Sequence, residues 1–379
     1  MRHHTPLGSV ALLATALLLT ACGASPTASG GASAKGAGNK AAAQAAAKAQ
    51  PVYDRINGLT GEERRKTLVE LAEKEGKLAI YTSNTDMDKL VEGFEETYDI
   101  EVSVYRGNSE SVLQRVRQEQ QAGYLGNDFV DTNAGELNIM QSEGMFHEYK
   151  GQLRDSVRKE GQANGWTASR FNVFVVGWNT DKVKPGQEPK SFEDLADPKW
   201  KGQVSMEVGD VDWFAGIYQY YLKQGRPEAE VRDLLTKIAG NSKIAKGHTT
   251  QGELLSAGQF AVTVSSYSHT IDKAADKGAP VSWRPASGEP VQPIVMRPNG
   301  VALMKTASHP AAAMLFADWE LTEGQKILEK AFRIGAIPTE KDPVAGLKII
   351  APPEQELLAD PKKWDNLYAD IVKAGQEIK

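Results

Sequence analysis

Tyr267-Ser268-His269 brings a phenol, a hydroxyl and an imidazole within three positions, just after the apolar run Phe260–Ser265. Asp210-Val211-Asp212-Trp213 follows another apolar run, Val204–Val208, with Glu207 inside it. Three arginines, Arg106, Arg170 and Arg297, stand beside stretches whose apolar content predicts strand ends. Guanidinium groups suit carboxylate and phosphate because they offer paired, fixed donors. Acids such as Asp210, Asp212 and Glu207 suit a cationic or polyol group instead. Trp213 is either a stacking wall for a ligand or a core residue one turn into a helix. His269 is either a ligand contact or a decoration of a helix start.

Three further clusters of small polar residues close predicted strands: Ser83-Asn84-Thr85, Gly107-Asn108-Ser109 and Thr132-Asn133. Such residues cap helices, which accounts for one residue at each helix start. Each cluster holds two or three, so Ser83, Asn84, Thr85, Asn108, Ser109 and Asn133 are candidate ligand contacts. Covalent chemistry has little to work with. There is no GxSxG, no phosphate loop and no HExxH, and His147, His248, His269 and His309 lie far apart in the chain. The single cysteine excludes a disulfide framework, a thiolate zinc cluster and a CxxC redox pair.

The elements that must position these residues follow from periodicity. An amphipathic helix is expected over Thr60–Lys74 and a strand over Lys77–Thr82. Met87, Leu90, Val91 and Phe94 mark a helix stripe, and Ile100, Val102 and Val104 alternate as a second strand. A helix carrying Val112, Leu113 and Val116 ends at Gly123, and Asp128–Thr132 leads through Asn133 into a helix near Glu136–Ser142. This β-α-β-α-β order implies a parallel sheet with right-handed crossovers, whose ligands sit beyond the carboxyl ends of the strands. Further on, Phe171–Trp178 and Pro293–Met304 predict long buried strands. Helices are expected at Ser191–Leu195, from Asp212 through Tyr220, over Pro227–Ala239 and over Ala311–Leu321. No internal repeat is visible.

Composition limits the partners. The 379 residues are 41% hydrophobic and 25% charged, enough for a sizeable core and too ordered in composition for a disordered chain. A net charge of −5 leaves no broad basic surface for nucleic acid. At the front, Arg2 and the apolar run Leu7–Thr20 read as a secretory signal. At ~1.5 Å per residue that run is too short for a hydrocarbon core of roughly 30 Å. Leu19-Thr20-Ala21-Cys22-Gly23 resembles a bacterial lipobox, which implies cleavage after residue 21, lipidation of Cys22 and residence on the outer face of the cell membrane. Residues 22–50, mostly Gly, Ala and Ser, read as a flexible tether in which Ala41–Ala49 flickers into helix, and residues 51–76 as a helical extension.

Gly76-Lys77-Leu78-Ala79-Ile80-Tyr81-Thr82, Ser191-Phe192-Glu193-Asp194-Leu195 with Asp197-Pro198-Lys199-Trp200-Lys201-Gly202, and His309-Pro310-Ala311-Ala312-Ala313 with Glu323-Gly324-Gln325 resemble segments of the extracytoplasmic solute-binding proteins of ABC importers. The ferric-ion-binding subgroup is the nearest in pattern. The resemblance covers about residues 77–341. It implies a two-lobed α/β body of the type II periplasmic-binding-protein kind with two crossing hinge strands. Lobe one would be residues 77–170 and 291–338, and lobe two residues 171–290 and 339–379. It also implies a monomer that captures one small solute or metal complex without a cofactor and delivers it to a permease and its ATPase.

Ferric iron is the ligand that the resemblance implies. Its relatives use two adjacent tyrosines with a histidine and a glutamate. Here the matching positions offer Tyr267 alone, Thr85 and Asn133, so Tyr267 and His269 are metal contacts only if the ligand is a metal. Tyr220-Tyr221, the one tyrosine pair, falls inside a predicted helix. The residue chemistry itself favours a small phosphorylated or carboxylated anion. Two other functions stay open: an enzyme on this scaffold, which lacks the motifs, and a solute-sensing or adhesive lipoprotein that feeds no importer.

Overall fold

Strand Lys77–Thr82 pairs in parallel with Glu101–Arg106 on one side and Phe129–Asn133 on the other, in register Lys77↔Glu101 and Ile80↔Phe129. A second parallel group forms from Val204–Glu207, Ser242–Ala245 and Val262–Tyr267. Two long strands, Thr167–Asn179 and Ile294–Met304, join the groups. They run antiparallel to each other with Arg297 opposite Asn172. The second pairs onward to Phe129–Asn133 in lobe one, and the first to Val262–Tyr267 in lobe two. Every residue of both crossing strands is buried, which is why the sequence reads as apolar runs rather than as alternation there. The computed structural model describes residues 30–151, 153–340 and 342–377. Cys22 and the expected signal peptide lie outside the described residues.

Two apolar cores form, and the first extends past residue 170 to take in Leu255, Ile271 and Trp283. In lobe one Phe316 packs edge-on to Phe94 and Phe129, with ring centroids 5.0 and 5.2 Å apart. In lobe two Phe214 meets Tyr368 at 5.0 Å, and Trp364 and Ile371 of the C-terminal helix Pro361–Val372 belong to the same cluster. The crossing strands meet at a bulge between Asn299 and Gly300. A Cβ on Gly300 would stand 2.5 Å from both the Thr167 carbonyl and the Trp166 ring, so only glycine lets the strands approach this closely.

The front of the described chain departs from the expected tether. A helix runs over Gly30–Asn57 and lies against the helix Ser109–Ala122. Ala49, Tyr53 and Ile56 are buried in the lobe-one core, and the Tyr53 hydroxyl donates to the Met304 carbonyl at 2.9 Å. The Tyr53 ring stacks on His147 with centroids 4.0 Å apart. Alanine has the highest intrinsic helix propensity, and its small side chain permits close approach, so Ala49 packs beside Tyr53 and Ile56 without a large apolar group of its own. No helix among the described residues is long and apolar enough to cross a membrane.

Candidate functional site

Between the lobes lies a cavity of about 970 Å³. Ser109, Asn133 and Glu136 line it from lobe one, Gly209 and Asp212 from lobe two, and Arg297 from a crossing strand. Three helices, Ser109–Ala122, Ala134–Ser142 and Val211–Lys223, begin at its walls. Helix starts carry free N–H groups and partial positive charge.

Arg297 is 8% exposed. Its Nη1 donates to Asp212 Oδ2 and its Nη2 to the Tyr267 hydroxyl, both at 2.8 Å. The Arg297 Nε is buried with no partner among the described residues. Tyr267 sits between two imidazoles: His248 at a centroid distance of 3.6 Å and His269 at 5.4 Å. Burial pushes the Tyr267 phenol up to about 12, against the pull of Arg297, so at neutral pH it keeps its proton. His248 Nε2 pairs with Asp210 Oδ1 at 2.8 Å.

A second buried guanidinium, Arg333, lies outside the lining of that cavity, as do Tyr267, His248 and His269. Arg333 donates from Nε to Asp86, from Nη2 to Thr85 Oγ1 and from Nη1 to Asn172 Oδ1, at 2.8, 2.8 and 3.3 Å. Its Nη1 also faces His269 Nδ1 at 3.4 Å. Burial, then Arg333 itself, holds the His269 imidazole well below its ordinary pKa, so it is neutral. Burial works against the charge of Asp86, but Arg333 and Lys273 more than offset it and keep its carboxyl below the usual range. The Lys273–Asp86 ion pair, 2.8 Å long, joins residues 187 positions apart in the chain.

The structure distributes the candidate residues unevenly. Tyr267, His269, Arg297 and Thr85 join the two guanidinium clusters. Ser83 Oγ meets Thr132 Oγ1 at 3.0 Å, and Asn84 accepts from the Asp86 amide with its own amide nitrogen buried and unpartnered. Ser109 donates to Glu136 at 2.8 Å, and Asn133 accepts from Asn299 at 2.6 Å. Asn108 caps its helix, accepting from the Ser111 amide at 2.7 Å. Arg106 is exposed at the end of its strand and makes no ion pair among the described residues.

Arg170 is committed elsewhere: its Nη1 donates to both Asp131 oxygens at 2.8 and 2.9 Å in the interior of lobe one. Asp210 is held by His248. Trp213, 1% exposed and packed against Phe192, belongs to the lobe-two core. Tyr220 and Tyr221 engage Lys348 and Arg226, and neither lines the cavity.

Arg333, His248, Asp86 and Asn172 were not picked out from the sequence. Arg333 follows Phe332, whose φ of 58° is the one positive value on a non-glycine residue among those described. Nothing in the spacing marks it. Glu207, Asp210 and His248 form the one grouping of three metal-ligating side chains among the described residues, with ligand atoms within 4.8 Å of one another. Both Glu207 oxygens already accept backbone amides, from Gly209 and Gly247.

Comparison with known proteins agrees with this architecture. Residues 125–357 match the family model for bacterial extracellular solute-binding proteins. An uncharacterized protein of Haemophilus influenzae is 27% identical over 277 residues, covering 68% of this chain and 77% of its own. The periplasmic binding protein AfuA of Actinobacillus pleuropneumoniae, solved with exogenous fructose-6-phosphate bound, superposes with a TM-score of 0.66 at 22% identity, over 79% of this chain and 99% of its own. Iron-bound HitA of Pseudomonas aeruginosa superposes with a TM-score of 0.62 at 19% identity, over 78% of this chain and 99% of its own.

Proposed function

Because the chain belongs to the family of bacterial extracellular solute-binding proteins, we propose that it captures a small organic anion, phosphorylated or carboxylated, between its lobes and passes it to an ABC permease. Arg297, which lines the cavity with its Nε unpartnered among the described residues, carries this choice of ligand. The Arg333 guanidinium, behind it, sits among Thr85, Asp86, Asn172 and His269. A ferric ion held by residues at the strand ends would meet a fixed cation there. Iron also prefers anionic oxygen donors, whereas the Tyr267 oxygen already accepts from the Arg297 cation. Helix starts and the unpartnered Arg297 Nε favour negative charge instead. Closure would follow from contacts that both lobes make to one solute. Lipidation of Cys22 would keep the protein at the outer membrane face, near the permease.

Native mass spectrometry of protein purified without added ligand, with a visible absorption scan, tests the ligand class. An anion is expected to give a mass increment and no visible band. A retained ferric ion with a phenolate charge-transfer band would overturn the assignment. Loss of labelled-lipid incorporation in Cys22→Ser tests the anchor.

A further inference from the structure

A smaller cavity, of about 200 Å³, opens off the main cleft and shares Arg297, Asp212 and Val211 with it. Ala134 and Ile139 of lobe one form one wall and Val211 of lobe two another. The C-terminal segment, residues 352–361, roofs it with Leu357 and Leu358. Its polar groups are mostly engaged already. Arg297 donates to Asp212 at 2.8 Å, Asn138 Nδ2 donates to Glu354 Oε2 at 3.1 Å, and Asn138 Oδ1 accepts from Trp166 Nε1 at 2.9 Å. Asp365 is an exposed carboxylate at the rim. What remains facing inward is hydrocarbon.

Leu358 is 43% exposed and Val208 44%, and both lie on the walls of these two connected spaces. Apolar surface left open in a ligand cleft marks where an apolar part of the ligand is covered. An apolar cavity of about 150 Å³ holds a benzene ring, so this one has room for a ring of six carbons. Extending the anionic-solute assignment, on which it depends, we propose that the solute bears a ring-sized apolar group. That group enters the side cavity beneath residues 352–361 while its anionic group meets Arg297. Because Arg297 lines both spaces, one short molecule reaches both.

Calorimetric titration of the full chain with methyl and phenyl phosphate, and with acetate and benzoate, separates the two ideas. In the pair that binds, the ring-bearing member is expected to bind at least tenfold more tightly, and Leu358→Asp to abolish that advantage. Leu358→Ala, a gentler change at the same exposed position, should reduce it. Equal affinity within the pair, or an advantage untouched by both substitutions, overturns the side-cavity proposal and leaves the anionic assignment standing. No binding by any of the four overturns both.

Discussion

The ring of His248 lies 3.6 Å from that of Tyr267, inclined by 27°, although 18 positions of chain separate residue 248 from residue 267. Asp210 fixes the imidazole on its far side and Arg297 fixes the phenol oxygen, so four residues from four elements set one another's orientation. The outcome is a phenol whose ring and oxygen are both held in place.

Arg297 and Tyr267 are expected to matter for affinity more than for folding. Arg297→Lys keeps the charge but cannot span Asp212, Tyr267 and a solute together. Hydrogen bonds to charged groups are worth about 1.5–3 kcal/mol, so solute affinity should fall roughly ten- to hundredfold, and Tyr267→Phe should weaken it several-fold. Titration calorimetry with the retained solute measures both. Unchanged affinity in the pair would place the site elsewhere.

Glu320 makes stability depend on pH. It is fully buried, and neither oxygen has a partner among the described residues. Burial, then nearby Asp131, raises its carboxyl from 4.5 to about 8, with Arg170 pulling the other way. The folded protein thus retains a proton that the unfolded chain releases between about pH 4.5 and 8. Stability should fall as pH climbs through that window. Glu320→Gln has no proton to lose, so its melting temperature relative to the parent should rise steadily from pH 5 to pH 8. A difference independent of pH would contradict this.

Tyr53→Ala tests the docked front helix. Truncating a buried aromatic costs about 3–5 kcal/mol, here with loss of the bond to the Met304 carbonyl and the stack on His147. Urea unfolding should show that loss while solute affinity stays unchanged. A shift below about 1 kcal/mol, within the range of surface substitutions, would mean that the helix is not docked in solution.

Gly300→Ala should strike both properties. Its new methyl would overlap the Thr167 carbonyl and the Trp166 ring where the crossing strands meet. Overpacking of this kind costs about 1–3 kcal/mol, visible as a lower melting temperature by circular dichroism. Because Arg297 sits three residues upstream on the same strand, solute affinity should weaken as well.

Much of the framework was legible before any coordinates. The alternation of Ile100, Val102 and Val104, the stripe of Met87, Leu90 and Phe94, and Gly123 at a helix end each follow from local physics, and each lies where expected. The two long apolar runs became the crossing strands. Helix was expected at Ala41–Ala49 and from residue 51, but its docking was not, because an Ala/Gly-rich segment looks unable to bury surface. Arg170 and Asn108 illustrate the limit at the site. A charged or capping residue beside a strand end has the same sequence signature whether it meets a ligand or Asp131, or a ligand or its own helix. Arg333 and His248 could not be read at all, since long-range packing alone brings them to Thr85 and Tyr267.

If the lobes close on a solute as proposed, the docked front helix bears on which of them travels. Tyr53 and Ile56 bolt that helix to the first lobe alone, so any pull on the upstream chain is borne there. Under that proposal the second lobe would be the moving jaw, and a receptor gripping the first would feel capture as motion of the opposite face.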